Sequence, residues 1–144
     1  MILNRQKRVR IHTTPLERFE ARVRHALALG GRELTVCFVD DREIARLNKK
    51  FRGKAKPTDV LSFPATGNGD SSFPLAHHRN YLGDIAISPE TARRNANRDG
   101  IALDRELRVL ILHGVLHLTG HDHEKDNGEM ERKEMRLRRK LGIA

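Results

Sequence analysis

Hydrophobic positions along the chain follow two rhythms, and the switches between them mark out the elements. Across 5–12, Val9 and Ile11 fall on one side of a basic segment and predict an edge strand. Thr14-Pro15-Leu16-Glu17 has the form of a capping box with proline at the first helical position. The helix it opens carries Leu16, Phe19, Val23 and Leu27 at helical spacing and is expected to end at Gly30-Gly31. Leu34, Val36 and Phe38 alternate, predicting a second strand over Glu33 to Val39. Asp40 with Glu43 begins another helix, which bears Ile44, Leu47 and Phe51 and stops at Gly53.

A short strand is expected within PTDVLSFP (57–64), followed by a loop over 65–80 rich in Gly, Asn, Asp and Ser. A loop of that length is often functional. LGDIAIS (82–88) is a strand, and Ser88-Pro89 caps a helix that runs to about Arg98 and ends at Gly100. From Asp104, VLIL and then VLHL give a helix apolar on nearly every side, which belongs at the centre of a fold. A charged helix over about 127–141 comes last. The sum is α+β: a single domain over 1–144, with a four-stranded mixed sheet, a buried central helix and about four further helices.

Composition narrows the class. Apolar residues make up 38% and charged residues 33%, a globular balance rather than that of a disordered chain. The start, MILNRQKRVR, has no signal-peptide apolar core, and no run approaches a membrane span. Cys37 stands alone in an apolar strand, as expected of an inert buried thiol in a reducing compartment, so a cytoplasmic protein is expected. Lys and Arg total 28 against 19 Asp and Glu, a net charge of +9 that favours a polyanionic partner. With no Trp, one Tyr and five Phe, modules built on stacking platforms are disfavoured, and a grip mainly on phosphates is expected.

The candidate chemistry lies in LHGVLHLTGHDHE (112–124). His113 and His117 are four apart on the central helix and project from one face. Gly120 can turn the chain so that His123 swings back toward them. Three neutral imidazoles with an open fourth position suit a catalytic divalent metal, zinc above all, and leaving two imidazoles unpartnered on an apolar helix is costly. A single buried histidine is more often a hydrogen-bonded core residue; the spacing of three makes the metal reading. The pattern matches the metzincin peptidase motif at all three histidines and the glycine. Gly114, however, replaces the glutamate that serves those peptidases as general base, so the geometry survives without the peptidase chemistry. His121 remains open as a fourth ligand, a proton carrier or a solvent-facing residue, and Asp122 as a proton carrier or a partner orienting a ligand. His12, His25, His77 and His78 have no such spacing.

A second candidate is the basic run Lys49, Lys50, Arg52, Lys54 and Lys56. Such runs are usually solvated loops. Here the global charge, the interruption by Gly53 and Pro57 and the adjoining strand argue for more. Arg52 follows Phe51 at a helix end, where a packed ring would hold its stem. A fixed guanidinium takes two phosphate oxygens at once.

Together these blocks resemble the YbeY family of bacterial endoribonucleases. The blocks are LN-x-x-FRGKAKPTDVLSFP (47–64), LGDI (82–85), HGVLHLTGHDH (113–123) and a looser Met130-x-x-x-Glu134. The resemblance implies a small α+β domain whose His113, His117 and His123 coordinate one metal ion, usually taken to be zinc. It implies that Arg52 is important for activity. It further implies single-strand-specific RNA cleavage, maturation of small-subunit ribosomal RNA including its 3′ end, ribosome quality control and contact with the ribosome or its proteins. Rival expectations are a non-catalytic, metal-stabilised RNA-binding assembly factor and, less favoured, a metal peptidase. Oligomeric state is not legible.

Overall fold

The structure is a computed structural model that describes residues 1–65, 73, 75–76, 78–120 and 127–144. The elements run β1 (Ile2–Asn4), α1 (Thr13–Ala26), β2 (Glu33–Phe38), α2 (Asp41–Arg52), β3 (Val60–Pro64), β4 (Tyr81–Ile87), α3 (Pro89–Asp99), α4 (Leu103–Leu118) and α5 (Glu129–Leu141). The sheet is mixed, in the order β1-β2-β4-β3. β1, β2 and β4 are parallel, and β3 runs antiparallel to β4 as an edge strand. The expected α+β architecture, with four strands and five helices, is the one observed.

Strand alternation sorts the core into two layers. Leu34, Val36, Phe38, Ile85 and Ile87 face α4, which supplies Ile111, Leu112, Val115 and Leu116, all fully buried or nearly so. Cys37, Val39, Ala86, Leu61 and Phe63 face α2 through Ile44 and Leu47. An irregularity at Glu33/Leu34 pairs Glu33 with Tyr81 and Leu34 with Gly83, leaving Leu82 as the extra residue of a bulge. Leu82 therefore joins the α4 layer. Tyr81 is turned to the other side, where its hydroxyl bonds Thr35 Oγ1 at 2.6 Å and the buried Asp84 carboxylate. Burial, with Asp84 beside it, pushes the Tyr81 phenol up, so it stays protonated and can donate.

Local chemistry sets the helix ends of α2 and α3 as expected. Asp40 accepts from Glu43 N at 2.8 Å and Gly53 closes α2 with φ +74°. Ser88 accepts from Thr91 N, and Gly100 closes α3.

The N-terminal expectations need correction. The first strand is Ile2–Asn4 rather than a segment within 5–12. Gln6 makes a reciprocal pair with Val9, Nε2 to Val9 O and Val9 N to Oε1, both 2.9 Å, which satisfies backbone groups that a ladder would otherwise take. Val9 is buried all the same. α1 begins at Thr13 after His12, with no side-chain cap bond, so Pro15 is third in the helix and the capping box does not form. Proline fits anywhere in the first turn because those N–H groups lack helical partners. α1 also stops at Ala26, before the glycines, because Ala28 turns left-handed (φ 54°) while Leu27 and Leu29 pack on the core.

No helix among the described residues is long and apolar enough to cross a membrane.

Candidate metal centre and basic edge

His113 and His117 lie one turn apart on α4, their rings 4.5 Å between centroids and steeply inclined to each other. Their Nε2 atoms converge to 3.0 Å. On the other side of its ring, His113 Nδ1 is 2.9 Å from Glu134 Oε1, and Glu134 Oε2 accepts from Arg138 Nη2 at 3.2 Å. Glu134 is buried on α5, where a carboxylate is stable only when paired, as it is here by His113 and Arg138. An ionised carboxylate can only accept, so Nδ1 of His113 is the donor to Glu134; in the neutral ring this leaves the lone pair on Nε2, the nitrogen that faces His117. That is the tautomer a metal-ligating histidine adopts when a carboxylate supports it. α5 is docked for this by Arg22, which donates to Leu141 O, and by Arg105, which donates to Ile143 O.

Gly120, expected to turn the chain after the helix, does so with φ +94°. His123, with His121 and Asp122, lies outside the described residues. Among the described residues no group of three or more His, Cys, Asp or Glu is placed to hold a metal. The described part of the centre is therefore the His113–His117 pair with Glu134 behind it.

Gly114 has a packing reason. A Cβ there would stand 2.7 Å from Cγ2 and 2.9 Å from Cδ1 of Ile85. The residue that takes the place of the peptidase glutamate thus faces the sheet, where any side chain would have to displace Ile85. Close approach of α4 also lets Ser62 Oγ on β3 donate to Gly114 O at 3.3 Å. Gly83 plays the matching part at the far end: its φ is +141°, and a Cβ would collide with Phe63 O and stand 2.9 Å from Leu118 Cδ2. Two glycines thus set how deep the histidine helix sits over β3 and β4.

The basic run lies around the edge strand from the histidines. Residues 49–57 are all exposed, and Arg52 is the last residue of α2. Its guanidinium makes no hydrogen bond or ion pair among the described residues. Below the run sits Asn48, 2% exposed, whose Nδ2 donates to Lys56 O at 2.9 Å, while Lys54 N reaches Asn48 O. The connector after Gly53 is thereby tied to the helix. Phe51 forms a T-shaped pair with Phe63 of β3 (4.9 Å between centroids), and Phe63 stacks on Phe73 at 4.8 Å. The packed ring beside Arg52 is thus present, although Phe51 keeps 36% of its surface exposed.

α2 and α4 cover opposite faces of the sheet, so the edge strand β3 lies between Arg52 and the histidine pair. β3 links them: Ser62 touches Gly114, and its neighbour Phe63 touches Phe51. Glu134 and Asn48 are the two site residues to which pattern reasoning assigns no role. Each lies inside a block shared with the YbeY pattern, but their partners are distant in sequence or on the backbone.

A family model described as Endoribonuclease YbeY matches residues 1–142. Among similar proteins, Endoribonuclease YbeY of Koribacter versatilis is 45% identical over 143 residues, covering 99% of this chain and 86% of that protein. The Endoribonuclease YbeY of Aquifex aeolicus is 42% identical over 132 residues, covering 92% and 83%. The solution structure of TM1509 from Thermotoga maritima superposes with a TM-score of 0.63 at 25% identity, over 98% of this chain and 89% of that one. With a family model spanning nearly its whole length and relatives at 42% and 45% identity, the chain belongs to the endoribonuclease YbeY family.

Proposed function

We propose that this protein is a metal-dependent endoribonuclease that cuts single-stranded RNA, acting in the cytoplasm on small-subunit ribosomal RNA, including its 3′ end, and in ribosome quality control. The observation that carries the reading is the convergence of His113 and His117 at 3.0 Å with Glu134 fixing one of them. Family membership supplies the reaction class, since the relatives are named endoribonucleases.

The donor set suits one divalent ion, zinc first. Two nitrogens each ~2.0–2.1 Å from a tetrahedral zinc stand about 3.3 Å apart, close to the observed separation. His113, His117 and His123 would hold the ion, and Glu134 would orient the first of them. When bound, the ion supplies Lewis-acid polarisation of a phosphoryl oxygen and activation of the attacking oxygen.

The chain's own groups do the rest. Glu134 keeps the His113 proton on Nδ1. Arg52 takes two non-bridging phosphate oxygens and offsets the charge that develops on them. The lysines around it hold flanking phosphates, and the long-range field of a +9 chain draws RNA toward the edge strand. Gly114 offers no carboxylate, which removes the peptidase base.

The test is incubation of purified protein with single-stranded RNA, duplex RNA and peptides, each with and without chelator. Chelator-sensitive cleavage confined to single-stranded RNA is expected. RNA binding without such cleavage would instead leave a non-catalytic assembly factor. Product ends report the attacking group, since attack by the 2′-hydroxyl leaves a cyclic phosphate and attack by water does not.

A further inference from the structure

Phe51 is a large apolar ring left open in the most cationic stretch of the chain. It keeps 36% of its surface exposed, and Lys49, Lys50, Arg52, Lys54 and Lys56 flank it along the chain, all exposed. A ring placed only to fill the core would be covered. Instead Phe51 forms a T-shaped pair with Phe63, which is backed in turn by Phe73, so the ring is held by a row of three aromatics while a third of it stays open. Lys50 Nζ lies 5.8 Å from its centroid, near the outer limit of a cation–π contact. The flexible lysine stem can swing aside for a flat group, keeping its charge beside the ring.

We infer that Phe51 is a stacking site for one nucleobase of the single-stranded substrate, beside the phosphate grip of Arg52. This rests on the RNA reading above and adds a determinant to it. A base stacked on Phe51 would carry its own phosphate within reach of the neighbouring cations, so ring and charges act on adjacent parts of one nucleotide. Stacking tolerates any base, because every base has a π-face, but it demands an unpaired one. The edge strand carries the register: Phe51 rests on Phe63, and Ser62 beside it touches the backbone of the histidine helix. The ring therefore acts as a positioning residue, selecting single strands and setting where along them the scissile phosphate falls.

The chain contains no tryptophan, so Phe51→Trp places a single reporter at the site. The probes are a short single-stranded 2′-O-methyl oligoribonucleotide and an abasic oligomer of equal charge, each labelled so that anisotropy reports binding. Saturable quenching of the tryptophan emission of this variant by the base-bearing probe, and none by the abasic one, is expected. Phe51→Ala should weaken the base-bearing probe about tenfold and leave the abasic probe unchanged. Emission that stays constant while anisotropy saturates would overturn the inference and leave the RNA reading standing. Equal weakening of both probes by Phe51→Ala would overturn it as well, assigning the ring a purely structural role. No binding of either probe would defeat the RNA reading itself, and this inference with it.

Discussion

Glu134 Oε1 lies 2.9 Å from Nδ1 of His113, a bond that joins α5 to the opposite side of the imidazole from the one facing His117. Because it fixes which nitrogen is protonated, Glu134 is expected to control metal affinity without being a ligand. Glu134→Gln keeps the size and one acceptor but loses the charge. The variant should bind zinc about 10–100-fold more weakly, as supporting carboxylates typically do when altered. Competition with a calibrated chelator measures this; unchanged affinity would detach Glu134 from the centre.

Gly114 against Ile85 is a matter of packing rather than of chemistry. Gly114→Ala inserts a methyl where a Cβ would stand 2.7 Å from Ile85 Cγ2. Overpacking of this sort costs about 1–3 kcal/mol, and urea unfolding should register it. Combining it with Ile85→Val, which removes the Cδ1 contact, should recover part of the loss. If Gly114→Ala alone is as stable as the parent, α4 does not sit where the two glycines place it.

Asp41 ties the start of α2 to the start of α3. Its Oδ1 accepts from Ser88 Oγ and Thr91 Oγ1, both at 2.6 Å, and its Oδ2 pairs with Arg94 at 2.8 Å. Burial pushes its carboxyl up, but the bonds from Ser88, Thr91 and Arg94 together outweigh that and hold it below the usual value of 3.8. A depressed carboxyl stabilises the fold above its unfolded pKa and loses that contribution as pH falls through the folded one. Asp41→Asn should therefore be less stable by about 1–2 kcal/mol at neutral pH, with the difference shrinking as pH drops below 3.8. Denaturant midpoints for both proteins across that range check the sign. A gap that widens on acidification would contradict it.

Much of this arrangement is legible from the sequence wherever the cause is local. Asp40 and Gly53, like Ser88 and Gly100, mark their helix ends because cap chemistry acts over three or four residues. His113 and His117 can be placed on one face because helical geometry fixes i and i+4. The pattern misplaces β1 because Gln6 satisfies the backbone of Val9 by a side-chain pair that no periodicity announces. The order β1-β2-β4-β3 depends on pairings between distant segments, and the bulge at Leu82 reverses the side that Tyr81 faces. The Glu134 bond to His113 spans 21 residues of sequence. Gly114 can be recognised as a missing base, yet its packing role appears only once Ile85 lies opposite.

In the proposed function a histidine-held metal and a phosphate-gripping arginine act on one RNA strand from either side of the edge strand. Metal content and single-stranded RNA cleavage, measured together on the parent, His117→Ala and Arg52→Ala, test it most directly. His117→Ala should lose metal and cleavage in parallel. Arg52→Ala should keep its metal and lose cleavage by about 100-fold or more, as removal of a charge-stabilising donor does. Parental cleavage by metal-free His117→Ala, or by metal-loaded Arg52→Ala, would contradict the account.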